Sequence, residues 1–197
     1  MKEGIQIPFT TFHYRVRTDG HPITYVDTTN GGENPFDWKE FTTEDIFANK
    51  RIVLFSLPGA FTPTCSTFQV PGFEENYQQI LDEGVDDIYV ISVNDTFVMR
   101  KWMIDQSVQN IKFIPDGNGD FTRRMGMLVD KSHLGFGMRS WRYSAIINDC
   151  VIEKWWQEPD INDLGEDQDP YFESTPENCL DYLKSKEAFQ FLKSLSK

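Results

Sequence analysis

The segment Arg51-Ile52-Val53-Leu54-Phe55-Ser56-Leu57 does most to limit what this chain can become. Its apolar residues run on without alternating with polar ones, between Lys50 and Pro58. A strand with one wet face alternates with a period of two. An unbroken run has both faces covered, as in the middle of an α/β sheet. Val85–Val93 repeats the pattern, and Ile111–Ile114 is a shorter strand of the same kind. Helical stretches lie between them. One follows the loop Pro58–Pro63 and continues to about Glu83; another covers Phe97–Gln106, capped by Asp95 or Thr96, with Phe97, Met99 and Trp102 on its apolar side. Arg142–Asn148 and Cys150–Trp156 read as a hairpin joined at Asn148-Asp149. This order predicts an α/β fold, a mixed central β-sheet with helices on both faces.

The flanks are less patterned. Thr10–Arg17 alternates as a strand does, and turn clusters follow at Asp19-Gly20 and Asn30–Pro35. Glu158–Glu177 carries eight carboxylates and no Lys or Arg, which reads as a solvated loop. A final helix from about 176 to 195 is signalled by Thr175 as cap, Pro176 at its first position and Ser174…Glu177 at capping-box spacing. Its apolar face takes in Leu180, Leu183, Phe189 and Leu192. Of Trp155 and Trp156, one is expected in the core and one at the surface. A length of 197 residues suits one domain over 1–197 with a full core and no need of staples.

Charge excludes several functions. A net charge of −12 is wrong for grasping phosphate backbones without sequence preference, and wrong for an anionic membrane surface. No apolar run reaches the roughly 18–20 residues of a membrane span. The start, Met-Lys-Glu-Gly-Ile-Gln, lacks a signal peptide's apolar stretch, so a cytoplasmic location is expected. Cys65, Cys150 and Cys179 are too few to be a disulfide scaffold and are read as free thiols. No metal site is expected. Asp116-x-Asn118-x-Asp120 opens like a calcium loop, but Phe121 replaces the required glycine and Met127 the bidentate acid. Asp160-x-Asn162 fails in the same way, and His13, His21 and His133 have no ligand spacing. Asn94-Asp95-Thr96 forms a glycosylation sequon but reads better as a helix cap.

The chemistry points to Cys65. A buried strand leads into Leu57–Ser66 and a helix leads out, which puts Cys65 in or near the first helical turn. Unpaired N–H groups and the positive end of the helix dipole meet there and stabilise a thiolate. Thr62, three residues upstream, can turn its hydroxyl towards the sulfur.

Pro58-x-x-x-Thr62-x-x-Cys65 resembles the active-site signature of the peroxiredoxins, and the fuller string over 58–66 looks like their type-five subgroup, including members fused to glutaredoxin. The likeness extends to residues 92–99, 115–122 and 134–144 and covers roughly 45–157. It implies a thioredoxin-like fold and reduction of hydrogen peroxide or alkyl hydroperoxides through a sulfenic acid on Cys65. By the same resemblance Thr62 hydrogen-bonds the peroxide, Pro58 shields the pocket from water and Arg142 faces the sulfur. The backbone N–H groups of Thr64 and Cys65 would hold the peroxide oxygen. A homodimer is implied, with no cofactor beyond an external thiol reductant. Three features depart from the pattern. Gln69 stands where some members carry His, Cys150 stands where glycine is more common, and residues 10–38 look expanded.

A lowered pKa does not by itself make a thiol a fast peroxidase. A thiol brought from a pKa of about 8.5 to about 6 gains roughly thirtyfold in thiolate at neutral pH. With a Brønsted slope of about 0.45 it loses roughly thirteenfold in nucleophilicity. Most of the acceleration must therefore come from directed hydrogen bonds to the stretched O–O bond.

A sulfenic acid needs a second thiol. The residues favour glutathione, with or without glutaredoxin; the alternative is resolution by Cys179 or Cys150 with thioredoxin as reductant. The chain has no Cys-x-x-Cys pair, which argues against dithiol exchange of the thioredoxin type. Two rivals remain: a cysteine hydrolase, for which no His base can be identified, and a non-enzymatic peroxide sensor on the same fold.

Overall fold

The computed structural model describes residues 2–17, 36–164 and 169–195, with the backbone alone for 187–195. β1 (Thr11–Arg17) and β2 (Phe36–Thr42) pair antiparallel, Thr11 opposite Thr42 and Arg17 opposite Phe36. The turn clusters expected near 19–20 and 30–35 lie outside the described residues. A short helix, α1 (Thr43–Phe47), follows directly and was not legible as a helix. Thr42 and Asp45 cap it reciprocally, each side chain accepting the other's backbone N–H, at 3.2 and 2.7 Å.

β3 (Arg51–Ser56) leads to a helical segment that starts at Pro63 and continues as α2 (Val70–Glu75) and, after a break at Asn76, α3 (Tyr77–Asp82). Then come β4 (Asp87–Ser92), α4 (Thr96–Asp105), β5 (Lys112–Pro115) and α5 (Asp120–Arg124). Asp95 is the residue that caps α4, accepting from Phe97 N at 2.8 Å and Val98 N at 3.0 Å. Phe97 itself points outward, edge-on to Trp38, and is not in the core. β6 (Leu128–Asp130) and β7 (Met138–Ser140) make a small antiparallel pair. β8 (Tyr143–Asn148) and β9 (Val151–Gln157) form the expected hairpin. Its turn residues Asp149 and Cys150 both take left-handed backbone angles, φ +47° and +64°. α6 runs from Pro176 to Leu195.

The five-stranded sheet has the order β5-β4-β3-β8-β9. β5, β4 and β3 are parallel, and β8 and β9 are antiparallel additions on the other side of β3. With β3 in the centre, its unbroken apolar run acquires a physical reason. Ile52 and Leu54 join one core, under α1 and α5, with Phe47 and Phe121. Val53 and Phe55 join the other, under α2, α4 and α6, with Phe73, Trp102 and Leu183. This is the thioredoxin-like α/β architecture, and β3 ends at the sheet's carboxyl edge, where open α/β sheets present their sites.

Two expectations are corrected. Trp155 and Trp156 are both half-buried: Trp155 stacks on Tyr143 at 4.3 Å, and Trp156 meets Tyr182 edge-on at 5.8 Å. The acidic stretch is not simply solvated. Glu158 and Ser174 are buried completely, and Asp169 pairs with a buried arginine. Thr175 caps α6, accepting from Asn178 N at 3.3 Å, but Ser174 gives its hydroxyl to Glu158 and forms no capping box with Glu177. Leu180 and Leu183 are buried as expected; the side chains of Phe189 and Leu192 fall in the part described by its backbone alone.

Candidate active site

β3 ends at Ser56, and buried Pro58 and Gly59 carry the chain into a tight loop. Asn94, just beyond β4, holds that loop. Its Oδ1 accepts from Ala60 N at 3.0 Å and from the Ser92 hydroxyl at 2.7 Å. The sequon asparagine is thus an internal brace. Phe61 sits at φ +65°, a strained angle for a bulky residue, with its ring half-exposed near Trp102. The Thr62 carbonyl then accepts from Ser66 N at 3.0 Å and opens the helix. Pro63 takes the first helical position, where a missing N–H costs nothing. Thr64 and Cys65 follow within the first turn, so helix geometry leaves their N–H groups without intrahelical acceptors.

Residues Cys65–Gln69 form one wide turn in which Val70 N donates to the Cys65 carbonyl. Such insertions are frequent at functional sites. Here the wide turn faces Cys65 and Gln69 inward, both fully buried, and leaves Thr67 and Phe68 exposed. Ser66 accepts from Trp102 Nε1 of α4 at 3.0 Å, which ties the turn to the core.

Arg142 immediately precedes β8 and is buried among these groups. Its Nη1 stands 3.5 Å from Cys65 Sγ and also donates to Gln69 Oε1. Nη2 pairs with the Asp169 carboxylate, and Nε donates to the Pro170 carbonyl at 3.1 Å. The Tyr171 ring lies against the guanidinium, 5.6 Å to its centroid. Burial pulls the arginine's pKa down, but Cys65 and Asp169 facing it outweigh that and raise it above its ordinary value. A permanent cation therefore faces the sulfur.

The structure brings together Cys65, Arg142 and the first-turn N–H groups of Thr64 and Cys65, with Pro58 buried at the loop entrance. The Thr62 hydroxyl donates to the Gly59 carbonyl at 2.8 Å, which leaves its lone pairs to accept a proton donor. Gln69, Asp169 and Pro170 were not legible as parts of the site. A cue existed: Pro170-Tyr171-Phe172 interrupts the acidic stretch with residues that prefer contact to water.

The other thiols are placed differently. Cys179, in the first turn of α6, faces the Cys65 side of the sheet, 3.7 Å from the Ser144 hydroxyl, and burial pushes its pKa up to about 12. Cys150 belongs to the opposite core and its pKa is also raised by burial. His13 faces Glu40 on the β1–β2 hairpin at 3.4 Å, His133 is exposed, and His21 lies outside the described residues. Asp116 spends its carboxylate on Phe121 N, Thr122 N and the Thr122 hydroxyl, at 3.2, 2.8 and 2.7 Å.

A thioredoxin-like sheet with a buried thiol at a helix start, facing an arginine, defines a class of thiol redox protein. Comparison with known proteins narrows it. The redoxin family model matches residues 27–171. A peroxiredoxin from Rhizobium etli is 52% identical over 180 residues, spanning 91% of this chain and 95% of that one. The hybrid peroxiredoxin hyPrx5 of Haemophilus influenzae is 50% identical over 153 residues, 78% of this chain and 61% of that protein. The crystal structure of the Plasmodium falciparum antioxidant protein, a 1-Cys peroxiredoxin, superposes with a TM-score of 0.81 at 41% identity, covering 93% of this chain and 99% of that one. The chain belongs to the peroxiredoxin family, with type-five relatives, and is a thiol-dependent peroxidase.

Proposed function

We propose that Cys65 is the peroxidatic nucleophile and that an external thiol, glutathione with or without glutaredoxin, completes its cycle. The observation that carries this is Arg142 Nη1 at 3.5 Å from Cys65 Sγ, both side chains buried, at the start of a helix. The thiolate attacks one oxygen of hydrogen peroxide or an alkyl hydroperoxide. An S–O bond forms, the O–O bond breaks, and the departing oxygen leaves as water or alcohol once it takes a proton. Thr62 accepts a hydrogen bond from the peroxide, because its own proton is held by Gly59. Arg142 and the N–H groups of Thr64 and Cys65 take up charge on the separating oxygens, while Pro58 helps keep water out. Cys65 is left as a sulfenic acid. One glutathione thiolate displaces water from it to give a mixed disulfide, and a second thiol returns Cys65 to the reduced form.

The state of the other cysteines supports an outside reductant. With a pKa near 12, about one Cys179 in 10⁵ is a thiolate at pH 7. Its greater basicity recovers only about fortyfold in nucleophilicity against an ordinary thiol, leaving it slower by roughly two orders of magnitude. Cys150 lies behind the sheet. The 1-Cys relative fits the same cycle. The reading extends to a homodimer in a reducing cytoplasm, to be checked by sedimentation and fractionation.

Intact mass after one equivalent of peroxide tests it, with and without glutathione. The expected product is a gain of about 16 Da on Cys65, replaced by a glutathione adduct. A loss of about 2 Da would overturn the one-cysteine cycle in favour of Cys179 and a thioredoxin-type reductant. No change of mass would favour neither cycle and would remove Cys65 as the nucleophile.

A further inference from the structure

Glu158 is a fully buried carboxylate and, among the described residues, takes its hydrogen bonds from backbone N–H groups and a hydroxyl, not from arginine or lysine. Its backbone flanks the active-site arginine: Glu158 N donates to the Arg142 carbonyl at 3.2 Å, and the Glu158 carbonyl accepts Trp141 Nε1 at 2.8 Å. Its side chain reaches forward in sequence. Phe172 N meets both carboxylate oxygens at 3.1 and 3.0 Å, and Glu173 N, Ser174 N and the Ser174 hydroxyl meet Oε1 at 3.0, 2.9 and 2.7 Å. One carboxylate thus gathers three consecutive backbone N–H groups and a hydroxyl. Directly before them stand Asp169, Pro170 and Tyr171, which meet the Arg142 guanidinium on the side away from the helix.

A guanidinium presents its N–H groups in one rigid plane. With Nε on Pro170 and Nη2 on Asp169, both the plane and its roll are set, and Nη1 is left pointing between Gln69 and Cys65. Both outer contacts are weaker anchors than a buried, charge-assisted set of hydrogen bonds. Asp169 is 42% exposed, so water screens its attraction, and Pro170 offers only a neutral carbonyl. The firm attachment is the buried, charge-assisted set on Glu158.

We propose that Glu158 is a positioning residue for peroxide reduction: by clamping residues 172–174 it fixes Asp169 and Pro170 against Arg142, and so aims Arg142 Nη1 at Cys65. This rests on reading Cys65 and Arg142 as the reacting thiol and its cation. Glu158 does not touch the reacting atoms. It acts through the backbone of the segment it grips.

Glu158→Gln is the direct test: it keeps the size and one acceptor oxygen, but it removes the charge that strengthens every bond of the clamp and sets an amide N–H₂ in place of Oε2, against the Phe172 N–H. Two rates are measured: peroxide consumption, and iodoacetamide alkylation of Cys65 as a function of pH. The expected result is a roughly 10- to 100-fold slower peroxide reaction, as for a catalytic group displaced by about 1 Å, with the alkylation profile moved to higher pH. Ser174→Ala removes one of the bonds, keeps the backbone, and should move both readouts the same way by less. It carries the test should Glu158→Gln fail to fold. Glu153→Gln is the stability control, because that half-buried carboxylate pairs with Arg51 and Lys186, neither of which contacts Cys65 or Arg142, and it should leave both rates unchanged. Wild-type rates and profile in both Glu158→Gln and Ser174→Ala would overturn the proposal. So would an equal slowing in Glu153→Gln. If the wild-type chain consumed no peroxide, the peroxidase reading would fall, while the alkylation profiles would still decide whether Glu158 aims Arg142 at the thiol.

Discussion

Gln69 and Arg142 share a buried hydrogen bond, and the nitrogen that makes it, Nη1, stands 3.5 Å from the Cys65 sulfur. The Gln69 amide also donates to the Ser56 carbonyl at 3.4 Å, so the arginine is referenced to the end of β3. Gln69→Leu would leave a buried N–H of Arg142 without this acceptor. The expected cost is about 1–3 kcal/mol of stability, with a loss of peroxide rate of roughly tenfold or more. Denaturant titration and stopped-flow kinetics check the two parts, and an unchanged rate would remove Gln69 from the site.

Arg142→Met tests where the rate comes from. A larger thiolate population by itself brings little net rate, because nucleophilicity falls as the pKa falls. Loss of the cation is therefore expected to slow peroxide reduction by far more than the change in thiolate fraction. Absorbance of the thiolate and the second-order rate, measured on one sample across pH, separate the contributions. A rate loss matched wholly by the thiolate change would contradict transition-state stabilisation by Arg142.

Cys150 occupies a left-handed position in the β8–β9 turn, φ +64°, where glycine is free of strain. Cys150→Gly relieves about 1 kcal/mol of backbone strain and gives up a buried thiol of comparable worth. Stability should stay within about 1 kcal/mol of the parent. Peroxidase turnover with glutathione should be unaffected. A collapse of turnover would make Cys150 part of the redox cycle after all.

Glu153 links β9 to Arg51 of β3 at 2.7 Å and to Lys186 of α6 at 2.6 Å. Burial alone would raise its pKa, but these partners outweigh burial and bring it down to about 2. The folded form therefore holds the ionised state more tightly than the unfolded chain does. That stabilisation is complete above about pH 4.5 and is lost as pH falls towards 2, up to about 3 kcal/mol in all. Glu153→Gln should flatten the acid limb of stability between pH 5 and about 2, read by urea unfolding at several pH values. An unchanged acid limb would show that other carboxylates govern it.

Much of this protein was legible in sequence because the signals are local. The unbroken apolar run of β3 announces two covered faces, Asp95 caps the helix it precedes, and Pro63 and Cys65 sit where a strand turns into a helix. Arg142 was placed by resemblance to a family, and the structure supplies the geometry. The acidic stretch misled. Charge density is a property of composition, and composition predicts solvation only when no fold supplies donors. Here three backbone N–H groups and a hydroxyl replace water around Glu158.

By itself, the sequence determined the alternation of strands and helices, the position of the reactive cysteine at a helix start, and the acidity of the whole. Only the tertiary structure decided which side of the sheet each thiol occupies, that Gln69 meets Arg142, and that Asp169 and Pro170 close over it. Apolar periodicity and caps act over a few residues and can be read along the chain. The site's hydrogen bonds join residues up to 77 positions apart, and those pairings exist only once the sheet order is set.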